Sequence, residues 1–368
     1  MKVRAAVLHE VGAPLSVDEL ELAEPGPGEV RLRVMAAGVC HSDLHVVTGD
    51  IPQPLPVVLG HEGAGLVEAV GPGVTHVQPG DRVVTSWIPA CGQCHFCRVG
   101  RAELCDEAGA LAVTGTLRDG TTRFEKDGQP VHHFLQVSAF AERIVVPAGG
   151  VVPVPPEVPW DRAALLGCGV TTGAGAVWHT ARVRPGKSVV VIGCGGVGLS
   201  AVQAAALAGA WPIIAVDVVP EKLAVARRLG ASHTVDAREH DVVTAVVDLT
   251  DGLGADYAFE AVGRPDTIAQ AFGAVRKGGM AVVVGVAPPN AEVCINAFAL
   301  PAHEKVLTGS WFGQSNPHVD VPRLARLYLA GKFKLDELIS RRYRLDEINA
   351  AFDDLRRGQV LRGVVQFD

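Results

Sequence analysis

Two patterns of hydrophobic and polar positions follow one another along the chain. Up to about residue 165, short runs of alternating apolar and polar positions are separated by turns rich in Pro and Gly. Examples are 29-EVRLRVMAAGV, 65-GLVEAVG and 81-DRVVTSW. Alternation with a period of two predicts strands that bury one face, and short turns favour antiparallel pairing. This half is therefore predicted to be an antiparallel, barrel-like β domain.

From about residue 170, apolar runs of strand length alternate with segments of helical periodicity. The run 188-SVVVIG leads through a Gly-rich turn into the small-residue helix 197-VGLSAVQAAALAG. Repeated βαβ units predict a parallel sheet with right-handed crossovers. The sequence therefore predicts an α/β protein with one domain from residues 1–169 and 312–368 and a second from residues 170–311.

Composition and charge limit the partners that we expect. The 368 residues are 48% hydrophobic and 20% charged, as in globular proteins, and the net charge of −7 does not favour nucleic acid or anionic membranes. The start, 1-MKVRAAVLHEVGAPL, lacks the apolar core of a signal peptide, and no uninterrupted apolar run reaches about 18 residues. We therefore expect a cytoplasmic protein with no nucleic-acid or membrane partner.

The segment 193-GCGGVG has the spacing of a dinucleotide-binding turn through Gly193, Gly195 and Gly198. It follows an apolar strand and opens a helix, which is the context that the motif requires. Asp217 ends the next strand, 19 residues after Gly198. A carboxylate there can accept hydrogen bonds from both ribose hydroxyls and repels a 2′-phosphate, and no Arg follows it. The cofactor is therefore predicted to be NAD and not NADP.

Four of the eight cysteines fall within fifteen residues, in the pattern C-x2-C-x2-C-x7-C. Disulfides are disfavoured in a reducing cytosol, and a redox dithiol needs only two cysteines. A ferredoxin pattern has a shorter last gap and a proline, whereas Asp106 follows here. Four thiolates can close a tetrahedral zinc site with no position left for substrate, so a structural zinc site is predicted. Its ligands are Cys91, Cys94, Cys97 and Cys105.

Three sparser positions predict a catalytic metal. Cys40 lies in 40-CHSDLH, His61 in 60-GHEGAG, and Cys168 in 166-LGCGVTTG. Of the three, Cys168 is the residue whose role as a ligand is least evident from spacing alone. Two sulfurs and one imidazole leave the fourth position of a zinc ion open for a substrate oxygen. Zinc in such a site acts as a Lewis acid on water or an alcohol.

Together these motifs resemble the zinc-dependent medium-chain alcohol dehydrogenases, in the liver-type, class III-like branch with two zincs per subunit. The resemblance extends from the N-terminus to the last strand. It implies a GroES-like β-barrel catalytic domain plus a Rossmann doubly wound parallel-sheet domain, and it assigns the catalytic zinc to Cys40, His61 and Cys168. It also implies that Glu62 lies behind the metal and that Asp43 holds the imidazole of His61.

The resemblance further implies a proton path, cofactor contacts and a substrate pocket. Ser42 contacts the substrate oxygen, and His45 ends the proton relay near the surface. The cofactor pyrophosphate is expected at His41 and Arg362. Other cofactor contacts are expected from Thr172, Gly193, Gly195, Gly196, Val197, Gly198, Asp217, Lys222 and Val286. The residues expected to line the substrate pocket are Trp87, Leu135, Val286 and Trp311.

The expected reaction is NAD-dependent, zinc-dependent oxidation of primary aromatic or medium-chain alcohols to aldehydes, or the reverse, with hydride transfer from an alkoxide on zinc. Thiol-adduct formaldehyde oxidation, dismutation with a tightly bound cofactor, and a non-enzymatic role remain as alternatives. In the glutathione-dependent class an Arg follows the fourth cysteine by four residues, and Gly109 stands there in this chain. The segment 114–142 resembles the insert of the dimeric classes, so a homodimer is expected, with an interface near residues 291–304.

Overall fold

A computed structural model describes residues 1–358 and 360–368 and separates into two compact units. The units consist of Met1–Cys168, Asn316–Ala330 and Ile339–Asp368 in the first, and Gly169–Ser315 and Gly331–Leu338 in the second. Gly169 and residues 312–315 and 331–338, which the sequence assigned to the first domain, therefore belong to the second unit.

The described residues form strands and helices in the order that the hydrophobic patterns indicate. The strands are β1 (Lys2–Leu8), β2 (Ser16–Leu22), β3 (Glu29–Val39), β4 (Val57–Val58), β5 (Glu62–Val70), β6 (Arg82–Thr85), β7 (Phe124–Lys126), β8 (Gln129–His133), β9 (Arg143–Pro147), β10 (Val151–Pro153), β11 (Val189–Ile192), β12 (Ile213–Asp217), β13 (His233–Asp236), β14 (Ala255–Glu260), β15 (Val275–Val283), β16 (Val306–Gly309), β17 (Ile339–Tyr343) and β18 (Arg362–Gln366). The α-helices are α1 (His41–Thr48), α2 (His95–Arg98), α3 (Asp106–Thr114), α4 (Trp160–Leu165), α5 (Gly169–Gly175), α6 (Gly196–Leu207), α7 (Pro220–Arg228), α8 (Val242–Asp248), α9 (Pro265–Ala274), α10 (Ala299–Ala302), α11 (Pro317–Leu329) and α12 (Ile348–Arg356). None of these helices is both long enough and apolar enough to span a bilayer.

The first unit is built on β-sheets, as the period-two pattern predicts. Strands β1, β2, β7, β8 and β4 close a barrel, and a second sheet runs in the order β10-β6-β5-β3-β18-β17, with β9 also paired to β3. The pairs of this second sheet are antiparallel except for β17 with β18, which is parallel. Their register sets Gly38 of β3 opposite Glu62 of β5, and Val39 opposite Gly363 of β18. The end of β3 and the beginnings of β5 and β18 therefore lie side by side.

The core of the first unit shows why β3 holds its position. Its side chains alternate between buried and half-buried from Val30 to Met35, and from Ala36 to Val39 they are all buried. Large apolar side chains such as Leu32 and Phe140 fill the same core and are almost completely inaccessible to solvent. Burial of this much apolar surface fixes the end of the strand at which the candidate site begins.

The second unit contains a six-stranded parallel sheet in the order β13-β12-β11-β14-β15-β16. Its central strand β11 is buried on both faces, as expected for a parallel sheet covered by helices. The strand order changes direction between β11 and β14, and ligands of such sheets bind at this point, beyond the carboxyl ends of the strands. The predicted fold class, a GroES-like β unit with a doubly wound parallel-sheet unit, is confirmed.

Candidate functional site

The first candidate metal ligand lies where β3 passes into α1. Cys40 has extended backbone angles (φ −126°, ψ 156°) and precedes the first residue of α1. Its backbone N–H donates to Oδ2 of Asp43 at 3.3 Å, a contact that satisfies an N–H group left free at a helix start.

The carboxylate of Asp43 also fixes the second candidate ligand. Its Oδ1 accepts from the N–H of Gly60 at 2.9 Å and lies 3.1 Å from Nδ1 of His61, and both side chains are buried. A carboxylate can only accept, so the proton of the neutral imidazole resides on Nδ1 and the lone pair on Nε2. That Nε2 is buried and forms no hydrogen bond of standard geometry among the described residues. Burial lowers the pKa of His61, but the charge of Asp43 and the Cys40 thiol beside the ring together raise this pKa well above its usual range.

Metal ligands are the neutral imidazole and the thiolate, so a metal ion that binds Nε2 and the Cys40 sulfur would take the place of the proton between these two groups. The imidazole of His61 therefore fits a metal site, with Asp43 as the group that orients the ligand.

The two buried thiols share one hydrogen bond. This bond from Cys168, together with the neighbouring imidazole of His61, brings the pKa of Cys40 well below that of a free thiol, against the effect of burial. The same bond and burial raise the pKa of Cys168. Zinc binds thiolates, so a divalent cation that binds both sulfurs would displace the thiol protons. The potential ligand atoms of Cys40, His61 and Glu62 lie within 4.8 Å of one another.

Behind this group, Glu62 forms a buried ion pair with Arg362. Gly38 makes room for the pair, because a Cβ there would collide with the Glu62 carboxylate and lie 3.1 Å from Nη2 of Arg362. The guanidinium charge also acts on the thiols of Cys40 and Cys168. Arg362 thus lies beside the candidate metal ligands, and its predicted contact with a pyrophosphate stays a prediction.

The predicted proton-relay residues lie on α1. The hydroxyl oxygen of Ser42 is 4.0 Å from the Cys40 sulfur. His45 is half-buried in the last turn, and its Nδ1 lies 3.1 Å from Oδ2 of Asp50, a contact that the sequence patterns did not reveal. His41, predicted to contact the pyrophosphate, is exposed in the first turn of the helix.

The four clustered cysteines come together as the spacing predicts. All four sulfurs lie within 4.8 Å of one another, and none of the eight described cysteines forms a disulfide. The Cys91 and Cys97 sulfurs are 3.9 Å apart. A tetrahedron with Zn–S bonds of about 2.3 Å has edges of about 3.8 Å, so this separation fits a shared zinc ion. Backbone N–H groups of Gln93 and Cys94 point at the Cys91 sulfur, an arrangement that stabilises a thiolate.

The glycine turn of the second unit has the backbone that the motif requires. Gly193 adopts φ +94°, and a Cβ there would lie 2.6 Å from the Val262 side chain. Gly198 packs directly on the carbonyl of Gly193, with no space for a side chain. At Gly195, by contrast, a Cβ would meet nothing within 4 Å. The start of α6 is therefore open on the side where backbone N–H groups can bind a phosphate.

The other predicted cofactor residues of this unit border the same turn. Asp217 accepts from the N–H of Cys194 at 2.7 Å and of Val219 at 2.9 Å, and its remaining lone pairs can accept from ribose hydroxyls. The charge of Lys222 acts on the Cys194 thiol, so the ammonium group also lies near the turn. Gly196 and Val197 begin α6.

The remaining predicted residues are placed within their own units. Thr172 is buried in α5, and this helix packs closely on α6. The backbone of Val286 packs against Gly263, in the loop after β14. Trp311 is 48% exposed on the second unit. Trp87 and Leu135 border the core of the first unit.

Comparisons with known proteins agree with this architecture. Residues 26–156 match the model of the alcohol dehydrogenase GroES-like domain, and residues 196–329 match that of the zinc-binding dehydrogenase. The chain is 44% identical to the NDMA-dependent alcohol dehydrogenase of Amycolatopsis methanolica over 368 residues, with 99% of each chain covered. It is 40% identical over 371 residues to the S-(hydroxymethyl)glutathione dehydrogenase of Synechocystis sp., with 100% of each covered.

A solved structure leads to the same conclusion. Benzyl alcohol dehydrogenase from Acinetobacter calcoaceticus superposes with a TM-score of 0.95 at 36% identity, covering 100% of both chains. A GroES-like unit with two clusters of metal-ligand side chains, joined to a parallel-sheet unit, is the architecture of a medium-chain dehydrogenase. The chain belongs to the zinc-dependent medium-chain alcohol dehydrogenase family, as the motifs predicted.

Proposed function

We propose that the protein catalyses the NAD-dependent oxidation of primary alcohols to aldehydes, and the reverse reduction, at a zinc ion held by Cys40, His61 and Cys168. The observation that carries this proposal is the buried imidazole of His61, oriented by Asp43, beside the Cys40 thiol with its lowered pKa. Nitrogen and sulfur donors suit zinc, and three ligands leave one tetrahedral position for an oxygen. Zinc bound there supplies the Lewis acidity that makes an alcohol easier to deprotonate.

The net charge of the site supports this assignment. Two thiolates balance the charge of a divalent cation, and Arg362 balances Glu62. A neutral group of buried charges has a smaller desolvation cost than an unbalanced one. With zinc bound, the group of ligands would carry no net charge, which suits the binding of a neutral alcohol.

The residues of α1 are proposed to remove the proton from the alcohol. The Ser42 hydroxyl can accept this proton while it donates its own, so the proton moves on towards His45. General acid–base steps of this kind contribute roughly 10²–10⁴-fold to a rate. NAD, when bound, accepts the hydride, and we assign its binding to the turn from Gly193 to Gly198 and to Asp217.

We propose aromatic or medium-chain primary alcohols as substrates. Trp87, Leu135 and Trp311 offer broad apolar surfaces, and a relative at 36% identity is a benzyl alcohol dehydrogenase. A glutathione adduct is a weaker candidate, although one relative acts on S-(hydroxymethyl)glutathione. Gly109 is exposed in α3 and supplies no cation for the carboxylate of such an adduct.

A second candidate function rests on the relative whose name states NDMA dependence. In this alternative NAD stays bound, and a second substrate regenerates it within the same active site. In the corresponding alcohol/aldehyde dismutation, one alcohol is oxidised as it reduces the bound NAD, and one aldehyde is reduced as it reoxidises the NADH. Turnover without added NAD would favour this alternative.

We further propose that the protein is a homodimer joined at the edge strand β16. Nothing among the described residues pairs with the outer edge of β16. Val306 on this strand is 41% exposed, and nearby Phe298 is 72% exposed. An exposed edge with apolar side chains is suited to pairing with a second copy. Sedimentation velocity should give the mass of a dimer, and Val306→Lys should shift it towards the monomer; a wild-type monomer would disprove this proposal.

The proposed reaction is tested with zinc-replete protein, NAD and a panel that contains benzyl alcohol, straight-chain alcohols, and formaldehyde with and without thiols. We expect NADH formation at 340 nm with benzyl alcohol, and its loss in Cys40→Ser. Cys294→Ser is the matched control, because this cysteine is exposed and outside both clusters. Absence of turnover with every alcohol, and with the aldehydes plus NADH, would disprove the proposed function.

A further inference from the structure

The helix that begins at the candidate metal ligands ends in a second polar arrangement. α1 ends at Thr48, and Gly49 follows in the left-handed conformation, with φ +81°. The chain then reverses, so that the N–H of Ile51 donates to the carbonyl of His45 at 3.0 Å. The carboxylate of Asp50 therefore lies against the last turn of α1.

In this position Asp50 contacts two donors of the helix. Its Oδ2 accepts from the Thr48 hydroxyl at 2.6 Å and lies 3.1 Å from Nδ1 of His45. These two contacts lower the pKa of Asp50, so the group is an anion at neutral pH. Because an anionic carboxylate only accepts, the contact requires a proton on Nδ1, and the lone pair of the neutral ring is on Nε2.

We propose that Asp50 is a positioning residue that keeps His45 in its Nδ1–H form, so that Nε2 accepts the proton released in alcohol oxidation. The inference rests on the proposed function. In this step a proton arriving from the Ser42 side bonds to Nε2, the ring becomes a cation, and one proton then leaves for water. No electrons move, and the side chains of His45 and Asp50 are 24% and 42% exposed, which gives the proton a route to solvent.

A purely structural role for Asp50 makes different predictions. As a loop contact to Thr48, the carboxylate would affect stability but neither the tautomer of His45 nor the rate of proton release. The two roles are therefore separated by measurements on the ring itself and on proton transfer.

The tautomer is measured on zinc-loaded protein by NMR with ¹⁵N-labelled histidine, and His45→Gln identifies the signal. We expect wild-type protein to carry the proton on Nδ1, and Asp50→Asn to give a mixture of both forms. An Nε2–H form in the wild type, or the same Nδ1–H form in Asp50→Asn, would overturn the inference.

The kinetic test uses the same variant. Asp50→Asn is expected to lower kcat about 10-fold. This effect is smaller than that expected for a buried pair, because water screens the interaction of Asp50 with His45. A higher concentration of buffer base should restore the rate, KM for the alcohol should change little, and Asp50→Glu should retain most of the activity. A structural role would give no rescue by buffer.

Asp18→Asn is the matched control. It breaks another His–Asp contact of the first unit, between Nε2 of His9 and Oδ2 of Asp18 at 2.8 Å, and should leave kcat unchanged. If Asp50→Asn does not fold, Thr48→Val, which removes the second anchor of the carboxylate, should give a smaller loss with the same rescue. If the wild-type protein is active and kcat is unchanged in the Asp50 and Thr48 variants, only this inference is overturned. If the wild-type protein is inactive, the proposed function and the relay are both overturned.

Discussion

The Asp43 carboxylate illustrates how one buried side chain can organise a candidate metal site. It has no exposed surface and accepts from the N–H groups of Cys40 and Gly60 and from the ring of His61. These donors belong to two separate segments of the chain. The carboxylate therefore fixes both the path of the backbone and the tautomer of the imidazole.

Replacing Asp43 by Asn tests this role. The amide has one acceptor oxygen and one donor group, so it cannot accept from all three partners. We expect zinc affinity at the catalytic site to fall about 10–100-fold, as for other groups that orient metal ligands. Zinc measured by mass spectrometry after mild chelation should drop from two ions per chain to one, since the four-cysteine site is untouched. Retention of both ions would show that His61 needs no such support.

A second residue, Asp217, is predicted to select the cofactor. Asp217→Ala removes a charged acceptor for the ribose hydroxyls, and each such hydrogen bond contributes about 1.5–3 kcal/mol. We expect kcat/KM with NAD to fall about 100-fold and the preference for NAD over NADP to narrow. Asp236→Asn, at the end of the neighbouring strand β13 and paired with Arg238, is the control and should change neither value. Equal use of both cofactors by the wild type would disprove the role of Asp217.

At the scale of elements, the cysteine lobe from 91 to 105 is predicted to depend on a bound zinc ion. Its α-helix, α2, has only four residues, none of which is buried. So small a segment buries little apolar surface, and a metal bound by its four sulfurs would contribute the missing stabilisation. We therefore propose a structural role for this lobe and a catalytic role for Cys40, His61 and Cys168.

Cys97→Ser is predicted to open this lobe. The variant should lose one zinc ion per chain, and trypsin should cleave after Arg98 or Arg101 much faster than in wild-type protein, because an unfolded loop fits the protease. Cys294→Ser, an exposed cysteine outside both clusters, is the control. Unchanged cleavage in Cys97→Ser would mean that the lobe is held by contacts other than its metal.

The strand β14 is anchored by a cluster of opposite charges. Burial opposes ionisation of Asp256, but the Ser188 N–H, Arg276 and Lys187 hold the pKa of this carboxyl at about 2. Because the pKa of Asp256 is lower in the folded state than its ordinary value of 3.8, its ionised form stabilises the folded protein. This stabilisation is fully present when the pH is above 3.8. This contribution is lost as the pH falls through about 2.

Asp256→Asn tests this anchor. In urea at pH 7, the free energy of unfolding of the variant should be lower than that of the wild type by about 1.5–3 kcal/mol, the contribution of a hydrogen bond to a charged group. The difference should shrink between pH 4 and pH 2, as the wild-type carboxyl becomes protonated. If the difference in unfolding free energy stays constant between pH 4 and pH 2, the effect of Asp256→Asn comes from packing and not from charge.

The elements also show how far the sequence could predict the site. The helix after Cys40, the four-cysteine cluster and the glycine turn are local, so spacing alone predicts them. The pair of Glu62 and Arg362 joins residues 300 positions apart, and it depends on the pairing of β18 with β3. Spacing contains no information on such a contact, and the predicted contact of Arg362 with the cofactor stays a prediction. The contact of Asp50 with His45 depends on the left-handed turn at Gly49, which a Gly between polar residues could have indicated.

At the scale of the whole molecule, the main question is whether NAD leaves after each turnover. The glycine turn is open around Gly195, and the family contains a member whose name states NDMA dependence. An open turn favours exchange, because bound nucleotide that cannot leave needs closure over it. We therefore expect free exchange of NAD.

Dialysed, zinc-loaded protein tests this last prediction. It should lack nucleotide absorbance after denaturation, oxidise benzyl alcohol only when NAD is added, and reach one NADH per alcohol consumed. Asp217→Ala should then need more NAD for half-maximal rate, because weaker ribose contacts raise the dissociation constant of an exchanging cofactor. A cofactor that never leaves would instead give turnover with NDMA, or with alcohol and aldehyde together, in the absence of added NAD. In that case the second substrate, and not free NAD, would complete the reaction cycle.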